Sequence, residues 1–306
     1  MKLRRRRRGG IALAADSSRK TVLRSMFMVL AMAMLVIVMA ISGPSPAVSA
    51  EGVALGYEGY LGGLHMLTAE VELARNETAY RMETHAKGRG LVGWFFNWTS
   101  NAVTEGVVET NGALRPRWHE RDIAQRGRKP KAIQIEYRDD GVPLVARMRV
   151  GDEANFQEVA ERRGTMDPMS AVTAIVDQMA AGASCKGRFP VFDGKLRYDV
   201  TAKMGDAGKL NGNKYMMYRG AAARCDLVLK AIDGFDDDEP KGNPRESGSP
   251  DDDTLTLTMW FASPAEGLPS VPVLASAKTD YGGLRIYLAR AETAVVPAGG
   301  QRAEAR

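Results

Sequence analysis

The chain has 306 residues and a formal net charge of +5 at pH 7. This charge is uneven, because residues 1–50 hold nine basic and one acidic residue, which leaves 33 basic and 36 acidic residues, a net of −3, for residues 51–306. Nucleic-acid binding through phosphate contacts needs a basic surface, so the composition of residues 51–306 argues against a DNA- or RNA-binding protein.

The first fifty residues have the three parts of a secretory signal peptide. Lys2 and the arginines at 4–8 form a basic start, residues 26–41 form an apolar run, and small residues precede a cleavage site after Ala50. The apolar run is shorter than the ~20 residues that cross a bilayer as a helix. We therefore expect cleavage and a periplasmic protein. The alternative is an inner-membrane anchor at 26–41, with the remaining chain facing the periplasm.

Apolar and polar residues alternate along several segments after the signal peptide, and this period of two is typical of strands with one buried face. Turn sequences such as Asn111-Gly112 and Gly282-Gly283 separate these segments. The pattern predicts a mainly β fold, an antiparallel sheet with one covered face. The apolar members of the clearest runs are Leu67, Ala69, Val71 and Leu73; Ile133, Ile135 and Tyr137; Leu196, Tyr198, Val200, Ala202 and Met204; Leu255, Leu257, Met259 and Phe261; and Leu284, Ile286 and Leu288.

One segment has helical spacing instead. Asp167 suits a helix N-cap, Pro168 suits the first helical position, and Gly182 suits the end. The apolar residues between them recur every three or four positions, at Met169, Val172, Ile175, Val176 and Met179. We expect a single amphipathic helix that packs on a curved sheet.

Two segments lack both patterns. Residues 236–253 hold eight acidic residues, two basic residues, three prolines and two glycines, which predicts a solvated loop between strands. The ordered spacing of a calcium loop is missing there. Residues 297–306 are predicted to form a disordered tail, so residues 51–296 are expected to fold as one domain.

The chain has two cysteines, Cys185 and Cys225. In an oxidising compartment an even number of cysteines indicates a disulfide. Their wide separation, with no CxxC motif and no nearby histidine, argues against a metal site or a redox pair.

No catalytic or cofactor motif is evident. His65, His85 and His119 lie on separate predicted strands, without the spacing of a zinc site. The G-x-S-x-G motif of serine hydrolases is also missing. We predict a protein that is not an enzyme and that has no metal and no cofactor.

Two short segments are candidate contact sites. Trp94, Phe95, Phe96 and Trp98 concentrate aromatic side chains within five residues; they form either a surface that faces a ligand or membrane, or part of the core. Asp193-Gly194 is either a turn, in which the aspartate bonds its own backbone, or a polar contact to a ligand.

Two motifs resemble a known family. Asp167-Pro168-Met169-Ser170-Ala171, and the segment Pro190-Val191-Phe192-Asp193-Gly194 with Leu196-Arg197-Tyr198-Asp199 after it, are similar to stretches of domain-of-unknown-function family 3108, a family of exported bacterial proteins. The resemblance implies a twisted, half-barrel-like antiparallel sheet with one helix, in the periplasm. It implies little about chemistry.

The sequence therefore predicts a non-enzymatic protein of the cell envelope. Our hypothesis is that its concave apolar face binds an acyl chain or another apolar ligand, or that it otherwise maintains the envelope. The alternative is an interaction module that contacts peptidoglycan or an outer-membrane partner through an exposed strand edge or the acidic loop.

Overall fold

The structure is a computed structural model. It describes residues 48–298, apart from 91–92, 95–96, 152, 159–161, 234–253 and 280. The predicted apolar run at 26–41 and the acidic loop at 236–253 lie outside the described residues. Val48 is the first residue of the first strand and pairs with Ala298 in the last strand, so the predicted cleavage site and the start of the predicted tail both fall within paired strands.

Fourteen strands form one antiparallel sheet, as the alternation of the sequence predicts. The strands are β1 (Val48–Leu61), β2 (Leu64–Arg75), β3 (Ala79–Gly88), β4 (Trp98–Val108), β5 (Leu114–Gln125), β6 (Lys131–Tyr137), β7 (Pro143–Val150), β8 (Glu153–Glu158), β9 (Lys186–Phe192), β10 (Arg197–Leu210), β11 (Gly220–Asp233), β12 (Thr254–Ala262), β13 (Val271–Thr279) and β14 (Gly282–Ala298). The helix α1 (Pro168–Ala180) lies between β8 and β9 in the chain.

The sheet is open where the helix is inserted. Its strand order is β8-β7-β6-β5-β4-β3-β2-β1-β14-β13-β12-β11-β10-β9, so consecutive strands are neighbours and the first strand pairs with the last. The two edge strands, β8 and β9, are the strands that α1 connects. This arrangement confirms the predicted curved, half-barrel-like sheet with one packed helix.

The segment before the helix covers part of one sheet edge. The backbone N–H of Met166 donates to the carbonyl oxygen of Pro190 at 2.9 Å, and the N–H of Phe192 donates to the carbonyl oxygen of Met166, also at 2.9 Å. An uncovered edge strand offers unpaired hydrogen-bonding groups to other chains. Met166 thus protects β9 and fixes where the helix begins.

The helix has the ends that the sequence predicts. The side chain of Asp167 accepts hydrogen bonds from the backbone N–H groups of Met169 and Ser170, at 3.0 and 2.9 Å, as an N-cap does. Pro168 occupies the first helical position, and Gly182 follows the last turn with a φ of +72°. Most of the helix is buried, including Met169, Ile175, Val176 and Met179.

The core lies between α1 and the face of the sheet that carries the alternating apolar residues. Most residues of the predicted runs are buried there. Met204 is the clearest exception, with 38% of its surface exposed. The reason is that β9 ends its pairing opposite Lys203, so Met204 lies beyond the neighbouring strand.

The predicted disulfide joins Cys185 and Cys225, whose Cα atoms are 5.8 Å apart. Both cysteines are fully buried. The bond ties the segment after α1 to β11 and closes a long loop, for which the chain-entropy treatment gives roughly 4 kcal/mol of stabilisation. It anchors the sheet near the C-terminal end of the helix. In the part of the chain that the structure describes, no helix has the length and apolar character needed to span a bilayer.

Candidate functional site

An apolar cavity of about 80 Å³ lies between the helix and the sheet. The helix contributes Ala171, Ile175 and Val176 to its wall, and the sheet contributes residues such as Leu55, Leu227 and Ile286. For comparison, an apolar cavity of roughly 150 Å³ is known to stay dry and to bind benzene. The space present in this conformation therefore holds only a few carbon atoms, because α1 fills most of the concave face.

A group of buried polar residues, which we call the polar cluster, surrounds the N-terminal end of α1. Each of its members is at most 6% exposed. This burial is unusual, because charged side chains are rarely buried unless they are paired. The members come from β3, β4, β5, the start of α1, the β9–β10 turn and β10. They are Tyr80, Thr104, His119, Arg121, Asp167, Ser170, Asp193 and Tyr198.

Asp167 is the centre of the hydrogen bonds in this cluster. Besides capping the helix, its carboxylate accepts hydrogen bonds from the hydroxyls of Thr104 at 3.0 Å and Ser170 at 2.5 Å. The hydroxyls of Tyr80 and Ser170 are 2.7 Å apart. His119 Nδ1 lies 3.3 Å from Asp167 Oδ1. The helix start is therefore bonded to β3 and β4 and contacts β5 through directional polar contacts.

Burial changes the acid–base behaviour of the cluster. It lowers the pKa of His119, an effect that the neighbouring Asp167 opposes. Burial also raises the pKa of Asp193, while hydrogen bonds from the backbone of Leu196 and Lys195 oppose the rise. The pKa of Arg121 falls to about 10 for the same reason. At neutral pH, Arg121 thus keeps its charge and neutral His119 is favoured.

The predicted Asp193-Gly194 site has the geometry of a turn and also belongs to the cluster. Asp193 Oδ1 accepts hydrogen bonds from the backbone N–H groups of Lys195 at 2.9 Å and Leu196 at 2.7 Å. Gly194 has a φ of +95°, and a Cβ atom there would lie 2.4 Å from Ile133 Cγ2. Asp193 also interacts electrostatically with Arg121 and His119. The close approach to β6 requires glycine.

The predicted aromatic patch is only half within the described residues, since Phe95 and Phe96 lie outside them. Trp94 is 69% exposed, between β3 and β4. Trp98 begins β4 and packs, partly buried, against the main core. The two tryptophans thus have different environments.

The three histidines are separate. Nε2 of His65 lies 2.5 Å from the carboxylate of Glu58, and Nδ1 of His85 lies 2.6 Å from the side-chain oxygen of Asn101, whereas His119 is in the polar cluster. Among the described residues, no group of three histidine, cysteine, aspartate or glutamate side chains is placed to hold a metal ion.

Sequence reasoning did not find the cluster as a site. It found Asp167 as a cap, Asp193 as a turn residue or polar contact, and Tyr198 as a buried strand residue, but it did not predict the role of Arg121, the polar contacts of Tyr198 or the burial of His119. The sequence of β5, LRPRWHERDIAQ, is polar on both faces, and this was the available signal. A polar residue on the covered face of a strand predicts a buried polar contact.

A family model for "Protein of unknown function (DUF3108)" matches residues 56–289, which include α1, the whole polar cluster and both cysteines. The chain belongs to the DUF3108 family. No curated protein matches this DUF3108 protein in sequence.

Two solved structures resemble the DUF3108 protein at low sequence identity. One is a β-barrel-like protein of domain of unknown function DUF1849 from Brucella abortus, with 10% identity, a TM-score of 0.44, and coverage of 81% of this chain and 99% of that one. The other is a "putative lipoprotein" from Parabacteroides distasonis, with 9% identity, a TM-score of 0.27, and coverage of 79% and 95%.

Proposed function

We propose that this protein is exported to the bacterial periplasm and binds the apolar chain of an envelope lipid between α1 and the sheet. The observation that carries the proposal is the apolar cavity beneath the helix. The signal-peptide pattern at the N-terminus supports the location. Apolar enclosures with few polar groups are typical of sites for small apolar ligands.

Binding a long chain requires α1 to move away from the sheet, because the cavity of about 80 Å³ is too small for one. The side chains at the two ends of the helix are held unequally, although the Cys185–Cys225 bond ties the segment after α1 to β11. Asp167 fixes the N-terminal end through buried hydrogen bonds. Near the C-terminal end, Asp177 pairs with Arg75 at 2.5 Å, and the arginine side chain is 38% exposed. An exposed pair of this kind contributes only about 0–1 kcal/mol. We infer that the C-terminal half of α1 opens first.

The geometry of the polar cluster supports a structural role in a binding protein better than a role as a catalytic triad. Asp167, His119 and Ser170 include the residue types of a catalytic triad, but they are fully or almost fully buried. The carboxylate of Asp167 is occupied by two backbone and two hydroxyl donors. In this arrangement, the three residues hold the helix in place.

The test is whether lipid accompanies the protein. We expect native mass spectrometry of protein purified from the bacterial envelope to show a bound lipid, and we expect the fluorescent apolar probe N-phenyl-1-naphthylamine to compete with it. Ala171→Leu places a larger side chain in the cavity wall and should weaken probe binding, whereas Ala180→Leu at the exposed end of α1 should not. Absence of both lipid and probe binding in the unmodified protein would contradict the proposal.

One observation favours a second function, as an interaction module. Aromatic side chains gather outside the core, where the rings of Tyr60 and His65 are 4.9 Å apart and those of Tyr60 and Tyr215 are 4.4 Å apart. A photo-crosslinking residue at Tyr215 tests this function in cells. A discrete adduct would support a partner at this surface, and its absence would favour lipid binding alone.

A further inference from the structure

The apolar cavity and the polar cluster share one residue, Tyr198. Its ring forms part of the cavity wall, while its hydroxyl interacts electrostatically with Arg121 and Asp193. Pro168, which lines the cavity, directly follows Asp167 of the cluster in sequence. The apolar cavity, which Arg121 does not line, therefore meets the polar cluster at Tyr198, and we call this junction the polar end of the cavity.

Three polar atoms of the polar cluster are buried without a hydrogen-bond partner among the described residues: Nδ1 of His119, Nη2 of Arg121 and the hydroxyl oxygen of Tyr198. Nδ1 of His119 lies 3.3 Å from a carboxylate oxygen of Asp167, which leaves Arg121 and Tyr198. Both residues are 6% exposed. Arg121 Nε is bonded, since it donates to the hydroxyl of Ser100 at 3.3 Å. Buried donors are almost always paired, so these two groups call for an oxygen acceptor at the polar end.

The charges of the polar cluster determine whether a charged or an uncharged acceptor is favoured there. Asp167 and Asp193 carry two negative formal charges, and Arg121 carries one positive charge. Burial favours the neutral form of His119. A carboxylate or phosphate would add a further negative charge to a buried site that already has an excess of one, and burial of an unpaired charge is costly. An uncharged oxygen, such as an ester carbonyl or an alcohol, avoids this cost.

We propose that Arg121 and Tyr198 bind the uncharged oxygen head group of a lipid whose apolar chain lies beneath α1, as in an acylglycerol. This inference rests on the proposed function and names the class of ligand. The guanidinium and the phenol donate hydrogen bonds to the head group, and the chain runs from Tyr198 along the apolar cavity.

The experiment compares two ligands that share a chain and differ in charge. N-phenyl-1-naphthylamine is displaced from the exported full-length protein by monododecanoylglycerol or by dodecanoate. We expect monododecanoylglycerol to bind at least about tenfold more tightly, because the anionic head meets the excess negative charge. Equal or tighter binding of dodecanoate would overturn the inference.

Tyr198→Phe removes one proposed donor and retains the ring in the cavity wall. We expect this variant to weaken the binding of monododecanoylglycerol about 3- to 10-fold, the effect of one hydrogen bond. The affinity for dodecanoate should be unchanged. Tyr218→Phe is the control, because Tyr218 lies outside the cavity wall and its hydroxyl donates to the carbonyl oxygen of Ala221 at 2.5 Å. It should leave both affinities unchanged.

A spectroscopic readout separates the head group from general destabilisation. Monododecanoylglycerol labelled with ¹³C at the ester carbonyl should show a shift on binding that is reduced in Tyr198→Phe and retained in Tyr218→Phe. If the probe binds but the carbonyl signal and affinities are the same in all three proteins, ordered water alone satisfies Arg121 and Tyr198, and the inference is wrong while the proposed function stands. If neither probe nor lipid binds, the proposed function itself fails.

Discussion

The sheet presents two walls of opposite character to α1. On one side, β1, β11 and β14 present apolar residues such as Leu55, Leu227 and Ile286. On the other side, β4 and β5 present Thr104, His119 and Arg121, all buried. One helix packs against both walls, with its N-terminal end at the polar wall.

The two walls hold the helix in different ways. Apolar contacts are non-directional and depend mainly on the area removed from water, so the apolar wall can accept a rearranged neighbour. The polar wall is directional, because each donor of the cluster needs an acceptor at a fixed distance and angle. We expect the polar wall to fix the orientation of α1 and the apolar wall to supply most of its stability.

The largest expected effect is on the apolar side. Ile175 is 1% exposed and lines the cavity, so Ile175→Ala enlarges an existing void and should lower the free energy of unfolding by about 4 kcal/mol. Urea denaturation measures the change. Ile232→Ala on β11, where the isoleucine is 42% exposed, is the control. If the two variants lost equal stability, the apolar wall would not be the main support of the helix.

Removal of the helix cap tests the polar wall. Asp167→Ala leaves two backbone N–H groups and the hydroxyl of Ser170 without this acceptor, while the hydroxyl of Thr104 keeps the carbonyl oxygen of Trp118 at 3.2 Å. We expect a loss of about 3 kcal/mol in urea denaturation. A loss below about 1 kcal/mol, as at a solvated cap, would show that the cluster does not fix α1.

The pH dependence of stability should come partly from His119. Its pKa in the folded protein is lowered by burial, so below its usual pKa the unfolded chain takes up a proton that the folded protein does not. The free energy of unfolding should therefore fall as the pH decreases through that range. We expect this change in the free energy of unfolding to be smaller than the loss from Asp167→Ala, because the charge of Asp167 opposes the lowering of the His119 pKa.

Urea denaturation at several pH values between about 7.5 and 5.5 measures the histidine effect. His119→Gln should flatten the profile, whereas His85→Gln, on the other face of the sheet in β3, should not. An unchanged slope in His119→Gln would exclude this histidine as its source. Asp193 acts in the opposite direction at lower pH, because its raised pKa makes the folded protein take up a proton first.

The smallest expected effect is at the C-terminal end of α1. Asp177→Asn breaks the pair with the half-exposed Arg75 and should cost about 0.5 kcal/mol. The same variant should accelerate binding of N-phenyl-1-naphthylamine if this end of the helix opens first. An unchanged association rate would argue against opening at this end.

The sequence by itself determined the local features of this protein. The helix and its cap could be predicted because Asp167 bonds N–H groups only two and three residues away, and the strands because their alternation is a local pattern. The cysteine pair was interpretable because the chain has only two cysteines. Each of these features depends on nearby residues or on composition.

Only the tertiary structure decided which distant residues meet. The pairing of β1 with β14, the coverage of β9 by Met166 and the approach of Arg121 to Tyr198 join residues far apart in the chain. Strand order and register set these contacts, and neither leaves a local signature in the polar sequence of β5. The polar wall therefore became visible only in the folded sheet, where Arg121 of β5 and Tyr198 of β10 interact although they are far apart in the chain.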